Sequence, residues 1–306
     1  MHADLEYAAL LRRVLEEGEH RADRTGTGTI SRFGERMVFD LTEGFPAITT
    51  KKLAWKAVVG ELLWFLEGSN SNIRLAELTH GDGSKPTIWT ANAESDYWKT
   101  EAKFEGDLGR VYGVQWRTWK SYDIKRYREF DYHPAGEKTF HGAAVTVKEH
   151  DQIANIIHQL KTDPTSRRMI LSAYNVGELD QMALPPCHMF AQYYVSQDQY
   201  LDSQVYIRSN DLFLGAPFNI ASYALLQSML AAVTKYLPRK LVIVIGDAHI
   251  YKNHYLQVEM QLDRAPRSTP SLRFSTVYDN IDSFRMEDIH LVDYVSHDAI
   301  KAPMAV

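Results

Sequence analysis

Met182-Ala183-Leu184-Pro185-Pro186-Cys187-His188 runs directly into Met189-Phe190-Ala191-Gln192-Tyr193-Tyr194-Val195, and the polar turn Ser196-Gln197-Asp198-Gln199 leads to a second run over 200–209. The two prolines fix φ and donate no backbone hydrogen bond, so they belong to a loop and not to a helix or central strand. The aromatic and branched run behind them reads as a buried strand. Alternating polar and apolar residues after the turn make the pair an antiparallel hairpin. Cys187, the only cysteine in 306 residues, therefore sits where a rigid loop becomes a strand. A lone cysteine is commonly a small buried hydrophobe, but a thiol fixed at such a junction also suits a nucleophile. His188 is a poor base for it, because adjacent side chains of an extended chain point to opposite faces.

Working outward, 220–234 is apolar on most faces and predicts a central buried helix, and Leu241-Val242-Ile243-Val244-Ile245 predicts a buried strand. Further strands are expected at 36–41 and 169–174, and amphipathic helices at 5–17, 53–67 and 153–160. Residues 68–90 and 119–152 read as connections and insertions, and no function attaches to either. No linker-like stretch divides the chain. It reads as one α+β domain, 1–306, with a large antiparallel or mixed sheet flanked by helices.

With 45% hydrophobic and 24% charged residues, the composition is that of a soluble globular protein with an ample core. A net charge of −5 excludes a general nucleic-acid or membrane-surface binder. No apolar run is long enough to span a bilayer, and the start Met1-His2-Ala3-Asp4 is no secretory signal, so a cytoplasmic location is expected. One cysteine excludes an internal disulfide and a multi-cysteine zinc site. Asp247, His249 and His254 lack the i, i+4 helical zinc spacing, so no metal is expected.

Other stretches suit chemistry. Asp23-Arg24-Thr25-Gly26-Thr27-Gly28-Thr29 is either a surface turn or a loop whose amides and arginine meet a phosphate; no Gly-Lys-Ser/Thr follows to make it a Walker loop. Ser166-Arg167-Arg168 is either a solvated edge or a second phosphate contact. Glu61 falls on the apolar stripe of Val58, Leu62 and Phe65, either snorkelling or buried with a raised pKa that suits acid–base work. A nucleophile, an anion site and the amide of Asn219 together suggest chemistry on a nucleotide.

The chain resembles the thymidylate synthase family along nearly its whole length. The ordered matches are Asp23 to Thr29, Phe45-Pro46 with Thr49-Thr50-Lys51, Glu61-Leu62-Leu63-Trp64-Phe65, and Gly106 to Gly113. They continue through Asp163-Pro164, Ser166-Arg167-Arg168, Met182 to His188, Arg208-Ser209 with Asp211, Gly215 to Tyr223, Gly246 to Tyr251 and the C-terminal seven residues. The resemblance implies a homodimer that takes dUMP and 5,10-methylenetetrahydrofolate. Cys187 would add to C6 of the uracil, with Arg208 favouring the thiolate. Arg24, Arg208 and Ser209 would hold the phosphate, joined by Arg167 and Arg168 from the partner subunit. Asn219 would read the base, and His249 and Tyr251 the 3′-hydroxyl. Glu61 would organise proton transfers, with Tyr112 and His188 near the base. Asp211 would bond the pterin, Trp89, Leu214, Gly215 and Phe218 would pack around the folate, and Lys51 would meet its glutamate tail. The tail through Ala305 and Val306 would close over the site.

Four positions depart from the family pattern: Ala47, Thr90, Tyr174 and Ile207, the last implying a lost polar contact near the nucleotide. Thr90, beside the folate wall, leaves open a dUMP hydroxymethylase of the same fold, in which water captures the methylene. Asn219 argues against a cytosine substrate. A nucleotide-binding protein without chemistry, and a Cys-His hydrolase using His249, are the readings from other classes.

Overall fold

Six strands form one mixed sheet because one long buried helix carries the chain back across it. The computed structural model describes residues 2–23, 25–127 and 142–304. The expectations for Arg24, Ala305 and Val306 lie outside these residues. The strands are β1 (Glu19–Arg21), β2 (Thr29–Asp40), β3 (Trp119–Tyr127), β4 (Gly142–His150), β5 (Ile170–Ser172), β6 (His188–Val195), β7 (Tyr200–Asp211), β8 (Leu237–Tyr251), β9 (Ser271–Phe274) and β10 (Ile289–Val292). The main sheet has the order β1-β2-β8-β7-β6-β5. Its pairs are antiparallel except β7 with β8. Between them lies the helix α8, introduced here with its neighbours: α1 (Ala3–Glu17), α2 (Trp55–Leu66), α3 (Asn72–His80), α4 (Thr90–Ala93), α5 (Asp96–Lys99), α6 (Tyr112–Thr118), α7 (Gln152–Thr162), α8 (Ala216–Thr234) and α9 (Tyr255–Leu262). A parallel pair needs such a crossover, so the helix and the strand direction explain each other.

The predicted β6–β7 hairpin is present, closed by a turn in which Gln199 takes φ 64°. Strands β6 and β7 bury alternate residues, among them Ala191, Tyr193, Leu201, Val205 and Ile207, against α8. Gln227 of α8 is fully buried, and its amide is satisfied by Ser203 Oγ at 2.6 Å and the Leu201 carbonyl at 2.7 Å. That satisfies the requirement a polar group must meet inside a core. Helix α8 is the only described helix long and apolar enough to cross a membrane, and it is a core element here. Ile207 is fully buried between His188 and Ile245, so this departure sits in the apolar interior.

Two expectations need correction. Residues 68–90 hold α3, a nine-residue helix capped by Ser71, whose side chain accepts from Arg74 N–H. Residues 119–152 are largely the paired strands β3 and β4, with Tyr122 opposite Val147 and Ile124 opposite Val145. These four apolar side chains are exposed, so the ribbon leaves no burial signal. Its tip, 128–141, lies outside the described residues.

The register fixes the site. Running in the same direction, β7 and β8 end together, setting Ser209 opposite Asp247 and Asp211 opposite His249. Cys187 immediately precedes β6, whose first residue faces Ile207. The glycine stretch 106–113 brings a third element in. At Gly113 a Cβ would lie 2.5 Å from the Phe65 carbonyl, so only glycine lets α6 lie this close to α2. Tyr112 is thereby pressed against Phe65, with ring centroids 5.1 Å apart.

Candidate active site

Arg208 staples the nucleophile loop. Its Nε donates to the Pro186 carbonyl at 2.9 Å, its Nη2 to the Pro185 carbonyl at 2.9 Å, and its backbone N–H to the Cys187 carbonyl at 2.8 Å. Prolines lack a donor but keep an acceptor, so the guanidinium fork can bind both. The same Nη2 lies 3.8 Å from Cys187 Sγ. From the other side, Cys187 N–H donates to Tyr112 Oη at 2.8 Å. Burial pushes the thiol pKa up, while the Arg208 charge pulls it down, and burial is the larger effect. Iodoacetamide should therefore alkylate Cys187 more slowly at pH 7 than an ordinary thiol, with the rate rising past the usual thiol range. Arg208→Gln should move that profile further up. Rapid alkylation at pH 7 would show that the thiolate already dominates in the free protein.

Tyr112 stacks on His188 at 4.0 Å, and His188 Nδ1 meets Tyr223 Oη at 2.7 Å. Burial holds the His188 pKa down to about 3, so the imidazole is neutral near pH 7. It orders the pocket wall and has no hydrogen bond to the thiol. Trp89, 6% exposed, donates from Nε1 to Glu61 Oε1 at 2.8 Å. Burial raises the Glu61 carboxyl to about 7, and the Trp89 bond opposes it. Of the two readings of Glu61, the half-buried carboxyl turned inward to Trp89, its pKa raised by burial, is the one the geometry favours. Thr90 turns its hydroxyl into its own loop, accepting from Thr87 N–H at 2.8 Å and Asn72 Nδ2 at 3.2 Å.

A second group forms at the ends of β7 and β8. Asp211 Oδ1 accepts from Phe213 N–H at 2.9 Å and Leu214 N–H at 3.1 Å. His249 Nδ1 lies 3.2 Å from Asp247 Oδ1, its ring edge-on to Tyr251 at 5.1 Å. Asn219 lies in the first turn of α8, where the neighbouring Gly215, Leu214 and Phe218 are half-buried. Ser209 is half-buried one residue past Arg208.

Lys51, expected to meet the folate's glutamate tail, has its amine turned inward. It is buried, donates to the Phe213 carbonyl and lies 3.6 Å over the Phe213 ring. Burial lowers its pKa to about 8, against the pull of Asp211. Arg167 and Arg168 are exposed beside the edge strand β5, two strands away from β7. Within one chain they do not join the cluster.

Sequence reasoning missed the partners of these groups. Tyr223 could have been found, since it follows Asn219 by one helical turn and so shares its face. Asn210 is 3% exposed and its Nδ2 has no partner among the described residues, which strand alternation alone could not reveal. The sequence pattern offers His254 only as a poor metal ligand. The described residues contain no group of three or more potential metal ligands.

A half-buried lone thiol with a guanidinium 3.8 Å away, and a carboxyl of raised pKa bonded to Trp89, are set on a fold whose family match makes it an enzyme of the transferase type. The sequence model of the family described as Thymidylate synthase matches residues 5–306, and the chain belongs to that family. Its members act on dUMP with methylenetetrahydrofolate as co-substrate.

Proposed function

We propose that the protein converts dUMP to dTMP with 5,10-methylenetetrahydrofolate as one-carbon and hydride donor. The observation that carries the reading is the continuous contact from Arg208 through Cys187 and Tyr112 to Trp89 and Glu61. Cys187 Sγ attacks C6 of the uracil, its proton having left, and C5 becomes nucleophilic toward the folate methylene. Loss of the C5 proton expels the folate nitrogen from the one-carbon unit, and hydride from the tetrahydrofolate then turns the exocyclic methylene into the methyl group as the Cys187–C6 bond breaks, leaving dTMP and dihydrofolate. Glu61, near half-ionised at neutral pH, can give and take protons around O4 and C5. Asn219 offers a donor and an acceptor to uracil N3 and O4. Arg208 and Ser209 with Arg24 take the phosphate, His249 and Tyr251 the 3′-hydroxyl. Asp211 bonds the pterin, Lys51 meets the glutamate tail, and the C-terminal tail with Ala305 and Val306 covers the folate.

Two copies are needed in this reading, because Arg167 and Arg168 lie too far along the sheet to serve their own site. The outward face of the sheet supports it. Phe190 and Tyr206 stack there at 5.9 Å, and Tyr194 is 62% exposed beside them, an apolar surface that suits a second copy. Each chain then acts as one catalytic domain in the cytoplasm.

The test is the mass of the nucleotide and folate products. dTMP with dihydrofolate supports the synthase, 5-hydroxymethyl-dUMP with tetrahydrofolate supports the hydroxymethylase, and no product overturns both. Asn219→Asp should lower kcat/KM for dUMP by about a hundredfold or more and raise it for dCMP, since a polar site rejects the unmatched base strongly. Unchanged selectivity would mean the base is read elsewhere.

A further inference from the structure

His254 stands where three parts of the site meet. It is fully buried in the turn between β8 and α9. Its ring lies 5.4 Å from the Phe213 ring and 5.6 Å from that of Tyr251. Its Nε2 is 2.7 Å from the Pro303 carbonyl, in the C-terminal tail. A carbonyl only accepts, so Nε2 carries a proton. Nδ1 has no hydrogen-bond partner among the described residues, yet it faces Asp211 Oδ1 at 3.9 Å. A buried polar atom without a partner is costly, and with Nε2 already donating to the tail, Nδ1 completes the contact to this carboxylate as the second N–H of an imidazolium.

We infer that His254 is a positioning residue that ties the C-terminal tail to Asp211, so that seating the tail and orienting the folate-site carboxylate are one event. This rests on the reading of Asp211 as the pterin contact. The tail carbonyl holds the imidazole in one orientation through Nε2. That orientation presents Nδ1 to Asp211, whose Oδ1 is already held by two backbone amides. Oδ2, which no described residue reaches by a hydrogen bond, is left for the co-substrate. Lys51 sits behind the same Phe213 and feels the charge of Asp211.

Three variants separate the two contacts. Gln places an amide N–H near the Nε2 position and keeps the tail bond; Asn places one near Nδ1 and keeps only the Asp211 side; Leu keeps the shape and loses both. In ligand-free protein, carboxypeptidase should shorten His254→Leu and His254→Asn faster than wild type by about tenfold, the worth of one buried hydrogen bond to a fixed acceptor. His254→Gln should digest at the wild-type rate. In turnover, KM for methylenetetrahydrofolate should rise about tenfold in His254→Leu while KM for dUMP stays within about twofold. Equal digestion of all four proteins, or equal rises in both KM values, would overturn the inference. A merely structural role would lower the melting temperature without splitting the two constants. If wild type forms no product, the parent reading fails by itself, and the digestion series still decides the tail contact.

Discussion

Cys187→Ser should lower turnover by about 10⁴-fold or more while dUMP binding stays within a few-fold of wild type. The hydroxyl that replaces the thiol is of similar size, so the Arg208 staple to Pro185 and Pro186 and the Tyr112 contact to the Cys187 backbone persist. What is lost is the sulfur nucleophile, whose thiol still ionises far more readily than a serine hydroxyl. The variant should also fail to form the folate-dependent covalent complex with 5-fluoro-dUMP that the wild type forms, which intact-protein mass measures directly. Normal turnover in the variant would remove Cys187 as nucleophile and with it the adduct mechanism.

Glu61→Gln should do two opposite things. Turnover should fall by about 10²–10⁴-fold, the usual worth of a positioned acid–base group. Stability should rise at alkaline pH. The carboxyl titrates at about 7 in the folded protein against 4.5 as reference. Between these values the folded state holds a proton that the unfolded state has released, so stability falls as pH rises from about 4.5 and levels off above about 7. The full penalty is about 3 kcal/mol at 1.36 kcal/mol per pKa unit. Glutamine can still accept the Trp89 N–H but never ionises. Urea unfolding should therefore find the variant more stable by up to about 3 kcal/mol at pH 8, with the difference shrinking toward pH 5. A difference independent of pH would mean that Glu61 is not held in its protonated form by burial. The carboxyl is then a case of activity maintained against stability.

The elements that bury a patterned face were legible from sequence. The loop–strand junction at Cys187, the β6–β7 hairpin and the all-round apolar α8 each have a local signal that their burial confirms. Strand β8 is longer than its apolar run, because Gly246 to Tyr251 continues the ladder with β2. The β3–β4 ribbon was missed because Tyr122, Ile124, Val145 and Val147 alternate with polar residues without a core to face. At the site, residue identities were legible and side-chain partners were not. Nothing in the sequence tells that Arg208 grips two proline carbonyls, that Trp89 gives its N–H to Glu61, or that Lys51 lies inside against Phe213. These depend on contacts between residues far apart in the chain.

Strand β2 pairs with β8 along its whole length, Thr29 with Tyr251 and Asp40 with Lys240. On the ribosome, β2 emerges long before its partner exists. At 5–20 residues per second the wait is roughly ten to forty seconds. Throughout it, Met37 and Phe39, both buried in the finished protein, have no sheet to join. The β1–β2 pair and α1 can form early, but the centre of the main sheet cannot close until residue 251 has been made.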